Sequence, residues 1–195
     1  MIPPDITARL QAATPYPTVG AQALVSSLAS AITSTWSMLE SSITIPGVPV
    51  GPPGPITGCI VTLGTATGTN MFGSLSSVFI PPFPTYTPGV KALVDGVGVG
   101  LYTTFEEIIF GLAGTVPAPG GVPSGMLSLL AVNPAAYAGD TLYTRCKDAL
   151  PMPLIPPTIA VQATLNAWAA ALSEAIAVWV AQSSLAGTAA LMAVI

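Results

Sequence analysis

Proline decides where this chain can be helical. The phrase "IPPFPT" at 80–85 returns as "IPPT" at 155–158, and a looser version, "TPYPT", stands at 14–18. Proline lacks an amide hydrogen and pushes its predecessor out of the α region, so each phrase ends one helix and sets the start of the next. Each phrase closes on a threonine, Thr18, Thr85 or Thr158, whose hydroxyl is placed to accept an orphan amide hydrogen of a new helix.

A long stretch with helical period follows each phrase. In the first, Leu24, Val25, Leu28, Ala31, Ile32, Trp36 and Leu39 form one stripe. In the second, Val90, Leu93, Val94, Val97, Leu101, Phe105, Ile108 and Leu112 repeat it, with Trp36 overlaying Phe105. The third carries Leu165, Trp168, Leu172, Ile176 and Trp179. A short amphipathic piece precedes each phrase: "DITARLQAA", "MFGSLSSVF" and "TLYTRCKDAL". The expected fold is therefore mainly α: about three degenerate units of short helix, proline phrase and long helix, with boundaries near 1–58, 59–125 and 126–195. Together they make one structural unit.

Pro/Gly segments join these units: "IPGVPVGPPGPITG" at 45–58 and "VPAPGGVPSG" at 116–125. They read as ordered loops or extended straps rather than helix or central strand. "CIVTLGTATGT" is rich in β-branched residues, so a short strand or hairpin is expected near 56–69.

The far face of the first long helix is made of hydroxyls, Ser26, Ser27, Ser30, Thr33, Ser34 and Ser37, with Glu40. Such a face loses water at lower cost than one of Lys and Glu. The whole chain shares this character. Charged residues make up 6% and hydrophobic ones 51%, against about 25% charged in an ordinary soluble domain. A surface so short of ions is suited to lie against other subunits or lipid. Arg9, Lys91, Arg145 and Lys147 are the four cations of the chain, whose net charge is −4. They are too few and too scattered to neutralise a phosphate backbone, so no nucleic-acid partner is expected.

No catalytic, cofactor-binding or metal-binding residue is assigned. The chain has no histidine and two cysteines, Cys59 and Cys146, set far apart; a disulfide between them is the alternative to the favoured reading of both as small buried hydrophobes. Cys146 lies between two cations, the setting of a reactive thiol, but has no histidine base. Glu106 and Glu107 are adjacent, so on a helix they diverge by about 100° and do not share a reacting point; solvation of one helix side is their expected role. "GVGVG" lacks dinucleotide-loop spacing and sits inside a helical stripe. Gly96 and Gly100 are instead expected to let two helix backbones approach closely. "GTATG" at 64–68 lacks the Lys and hydroxyl residue of a phosphate loop. The expected enzymatic activity is none.

After Glu174 the chain runs 21 residues without a charge, the length of a membrane span. Gln182, Ser183 and Ser184 in its middle, and no flanking Lys or Arg, favour a small-residue helix packed in protein. The start, "MIPPDITARL", has no basic stretch before an apolar one, so a cytoplasmic product without a signal peptide is expected.

Hydroxyl-faced, charge-poor helices alternating with segments such as "TIPGVPVGPPGPITG" and "GTATGTN" resemble virion structural proteins of contractile-tailed bacteriophages. The resemblance is one of texture, spans most of the chain and transfers no functional residue. It implies a non-enzymatic component of the particle, in the tail or baseplate region, made in the host cytoplasm and embedded among other structural subunits or copies of itself. Interface candidates are Ser27, Ser30, Ser34, Trp36, Gly96, Gly100, Phe105, Trp168 and Trp179. The alternative is a membrane-interacting or pore-forming protein that meets the bilayer through residues 175–195.

Overall fold

Threonine hydroxyls start all three long helices of the computed structural model, which describes residues 5–14, 18–42, 45–46, 54–62, 75–79, 87–107, 109–116, 134–152, 154–182, 185–188 and 191–194. Thr18 Oγ1 accepts from the Ala21 amide at 3.1 Å, Thr87 Oγ1 from Val90 at 3.2 Å and Thr158 Oγ1 from Val161 at 3.3 Å. Thr18 and Thr158 cap as the sequence predicts. The second cap is Thr87 rather than Thr85, because Pro88 fits the first helical position, where its missing amide hydrogen is of no consequence. Residues 80–86, including Thr85 and its prolines, lie outside the described residues.

Among the described residues six helices follow in order: α1 Ile6–Ala13, α2 Val19–Ser42, α3 Leu75–Val78, α4 Pro88–Glu106, α5 Gly139–Asp148 and α6 Ile159–Gln182. A 3₁₀ turn, Pro134–Tyr137, precedes α5. The chain is mainly helical, and its short and long helices alternate.

Each short helix lies between two long ones: α1 between α2 and α6, α3 between α2 and α4, and α5 between α4 and α6. The result is a closed ring of six. Within it α5 runs against α4, and α1 against α6. Along α5, Arg145 meets Thr104 while Leu150 lies against Gly96. Along α1, Arg9 pairs with Glu174 while Thr14 meets Trp168. A four-residue spacing on the short helices faces the interior: Ile6 and Leu10 on α1, Leu75 and Phe79 on and after α3, and Leu142, Cys146 and Leu150 on and after α5. One contiguous core fills the ring.

Strands leave the far ends of the long helices. β1 (Ile45–Pro46) follows α2, β3 (Ile109–Val116) follows α4, and the hairpin β4 (Leu185–Thr188) and β5 (Leu191–Val194) follows α6. β5 lies between β1 and β4, antiparallel to both, with Ile45 opposite Met192 and Leu185 opposite Val194. β2 (Gly54–Thr62) pairs antiparallel with β3, with Gly54 opposite Val116 and Thr62 opposite Ile109.

The structure bears on four expectations. The strand near 56–69 exists as β2, yet its partner is β3, some fifty residues on, rather than a local hairpin; residues 63–69 are outside the described set. The second apolar stripe was expected to remain helical to Leu112, but α4 stops at Glu106. Ile109 and Phe110, which favour strands, together with Gly111 and Gly114, break the helix there and continue as β3. Part of the 45–58 strap is likewise strand, with Pro55 tolerated because a two-stranded ribbon is all edge. Nor is the uncharged run 175–195 one helix. It leaves helix at Gln182, before Ser183, Ser184 and Gly187, which are weak helix formers, and becomes β4 and β5.

Candidate functional site

Trp36, Phe105 and Trp179 occupy matching places near the ends of α2, α4 and α6, and they meet on the bundle axis. Their ring centroids are 5.0 Å apart for Trp36–Phe105 and 5.6 Å for the other two pairs, with interplanar angles of 75–86°. All three pairs are edge-to-face, the geometry in which a positive ring edge meets a negative face. None of the three side chains is exposed. Ile32, Leu101 and Ala175 form the next layer, one turn back on each helix, and are also buried.

Gly96 and Gly100 lie where α4 meets α5. A Cβ added to Gly100 would stand 2.9 Å from the Cys146 amide nitrogen and 3.0 Å from its Cα, besides striking the sulfur. At Gly96 it would stand 2.7 Å from Leu150 Cδ2 and 3.0 Å from the Cys146 carbonyl oxygen. The close approach expected of these glycines is made within one chain. Trp168 is buried as well, and its Nε1–H donates to Thr14 Oγ1 at 3.2 Å, holding α1 to α6.

Six of the interface candidates thus have a physical role inside the subunit: Trp36, Gly96, Gly100, Phe105, Trp168 and Trp179. Ser27, Ser30 and Ser34 face outward. Ser30 and Ser34 are exposed and Ser27 is half-buried, on the side of α2 away from Leu28, Ile32 and Trp36.

The cations are paired within the chain. Arg9 pairs with Glu174 at 2.8 Å, Lys91 with Asp95 at 2.5 Å, Arg145 with Glu107 at 2.6 Å and Lys147 with Asp148 at 3.8 Å. All four cations of the chain therefore have an acidic neighbour in the same chain. Arg145 does most. Its guanidinium also donates to Thr104 Oγ1 at 2.9 Å and to the Ala136 carbonyl at 2.8 Å, tying α5 to α4 and to the 3₁₀ turn. The sequence shows Arg145 only as one of the two cations flanking Cys146, and this clamp was missed. The signal was present: Arg145 precedes Cys146 on the buried four-residue spacing, so its stem starts beside the core. Glu106 and Glu107 do diverge. The Tyr102 hydroxyl donates to Glu106 at 2.6 Å, a bond that, with burial and the carboxylate's charge, raises the tyrosine's pKa, while Glu107 turns to Arg145. Solvation of one helix side was the expected role of this pair; Glu107 is exposed and Glu106 half-buried, and each also holds a neighbouring side chain.

Cys146 is a buried free thiol, and of Cys59 only the strand backbone is described. Burial pushes the Cys146 pKa up from 9.0 to about 12, against the opposing pull of the Arg145 charge. The thiol is therefore protonated and inert in the folded chain. Its unfolded counterpart ionises first, so between about pH 9 and 12 the unfolded state holds fewer protons and stability falls as pH rises. Titration with a thiol reagent should leave Cys146 unreacted in native protein and label it on unfolding in denaturant. Rapid labelling of Cys146 in the native state would contradict its placement.

Among the described residues no group of three or more His, Cys, Asp or Glu side chains comes together to hold a metal ion. No protein-family model, curated protein or solved structure matches this chain. On α4 and α6 the half-buried Thr103 and Thr164 donate their hydroxyls to the carbonyls of Val99 and Ala160 four residues back. Such hydroxyls are partly satisfied by their own helix, which lowers the cost of removing water from them.

Proposed function

We propose that this chain is a non-enzymatic structural subunit of a large assembly, of the kind found in the tail or baseplate region of a contractile-tailed bacteriophage particle. It is built from three short-helix/long-helix units, about 1–58, 59–125 and 126–195. Its partners are other structural subunits or copies of itself. The observation that carries this reading is the pairing of all four cations inside the chain while Ser30 and Ser34 face out. A neighbour that covers the hydroxyl side strips few ions of water, and obligate interfaces resemble a core cut in half.

The competing reading is lipid contact. α6 is the one helix among the described residues long and apolar enough to cross a membrane, with mean hydropathy 1.3, yet half of its most apolar window is buried inside the bundle. Its Glu174 is held by Arg9. A core helix has the same properties, and assembly is the simpler account.

Lysines at Ser27, Ser30 and Ser34 test the proposal. The triple variant should keep its helical circular dichroism and fail to enter the native particle, because three ammonium groups would be buried without counter-charges. Incorporation at the wild-type level would mean that this side faces water. Recovery of the wild-type chain only in detergent-extracted membranes would favour lipid.

A further inference from the structure

α4 ends without a stop signal. Glu107, which follows its last residue, stays in the right-handed helical region (φ −90°, ψ −8°) and turns its amide hydrogen to the Thr104 carbonyl at 3.2 Å. No glycine or proline closes the helix there, and the next of either is Gly111. In the sequence the apolar stripe of Val97, Leu101 and Phe105 goes on to Leu112, two helical turns past Phe105. The matching helices also reach further. α2 runs to Ser42, six residues past Trp36, and α6 to Gln182, three past Trp179, whereas α4 stops one residue past Phe105.

Pairing with β2 is what takes this stretch out of helix, and that hold is weak. Among the described elements β2 and β3 are held appreciably only by each other. A two-stranded ribbon with no third strand or helix against it is marginal in water. This one also shifts register between Ile56 and Cys59, and Pro55 brings no amide hydrogen to the ladder. Neither strand carries a charge: one reads "GPITGCIVT" and the other "IFGLAGTV". Open edges of that kind invite pairing with strands of other molecules.

We propose that residues 109–112 are a helix–strand switch. As strand they pair with β2 and display the edges of the ribbon. As helix they lengthen α4, take the ribbon apart and withdraw those edges. The two forms are close in free energy because each has what the other lacks: the strand form has its ladder to β2, and the helix form continues the apolar stripe. Gly111 restrains the helix form, since only proline is a poorer helix former. A neighbouring strand that binds the ribbon draws the population to the strand form, so the edges stay hidden until they are needed. That role rests on reading the chain as an assembly subunit; the switch itself does not.

Carbon-13 chemical shifts of Ile109 and Phe110 Cα in the full chain test this, because helix and strand move them in opposite directions. Wild type is compared with Leu112→Cys and Gly111→Ala. In the ribbon's register position 112 stands opposite the native Cys59, so mild oxidation of Leu112→Cys links the two strands and fixes the strand form, while Cys146 is buried away from the reaction. Gly111→Ala should raise the helix-to-strand ratio ~5-fold, the ~1 kcal/mol by which alanine exceeds glycine in a helix. The expected result is wild-type shifts between those of the linked chain and those of Gly111→Ala, with the shifts of α6 the same in all three. Wild-type shifts equal to those of the linked chain and unmoved by Gly111→Ala describe a fixed ribbon and overturn the inference. Failure of the two thiols to link removes the strand form and overturns it too, as do random-coil values at both residues in wild type. None of these outcomes touches the assembly reading, which the lysine variant at Ser27, Ser30 and Ser34 tests separately.

Discussion

Gly100→Leu should lower stability by about 3 kcal/mol or more, at the upper end of overpacking effects. For a chain of this size that is a fall in melting temperature of roughly 6–12 °C. The cause is the Cys146 backbone, which lies within 3.0 Å of any Cβ at this position and cannot move without displacing α5. Flexible side chains could turn aside; a helix backbone cannot. Helix propensity works the other way, since replacing a helical glycine by a better helix former gains up to ~1 kcal/mol. The collision is the larger effect, so the net change is loss. Gly20→Ala is the matched control. Nothing lies within 4 Å of its would-be Cβ in the first turn of α2, so that variant should gain about 0.5 kcal/mol or remain unchanged. Thermal melts followed by circular dichroism separate the two, and equal melting points would contradict the helix contact described here.

Trp36→Ala should cost about 3–5 kcal/mol, the range for removing a large buried aromatic. Trp36 fills the axis of the ring and loses edge-to-face contacts with Phe105 and Trp179 at once, each worth ~0.5–1.5 kcal/mol beyond its area. Because the three rings come from three long helices, the cavity is shared by all of them and no single helix can close it by shifting. Trp36→Phe should recover part of the loss. Urea titration at equilibrium checks the pair, with near-ultraviolet circular dichroism reporting the packing of the remaining rings. A Trp36→Ala chain as stable as wild type would show that the rings do not form the centre of the fold.

Much of this architecture was legible because its causes are local. Proline phrases and threonine caps act within four residues, so the starts of α2 and α6 could be placed. The period of Leu28, Ile32 and Trp36 marks the buried side without knowledge of what covers it. Even the small-residue contact of Gly96 and Gly100 followed from spacing alone, although its partner, Cys146, did not. The ends of the long helices were harder. Ile108 and Leu112 continue a helical stripe by hydrophobicity, yet β3 begins there, and the choice is settled by pairing with β2 from a distant part of the chain. The apolar run after Glu174 failed for a similar reason, since β5 pairs with β1, nearly 150 residues earlier. Arg145 was misread because its partners, Thr104, Glu107 and Ala136, come from other elements. For the candidate surface, composition pointed to the outward hydroxyls, while the aromatic residues proved to be the interior.

Concealment is the property on which the functional reading depends: a molecule with so few ions on its outside belongs beside a neighbour. Sedimentation equilibrium of the purified full-length chain in plain buffer, from micromolar to the highest attainable concentration, measures this directly. The account predicts self-association, or a chain that stays in solution only with a partner. A single species of monomer mass, dispersed and stable throughout that range, would contradict it.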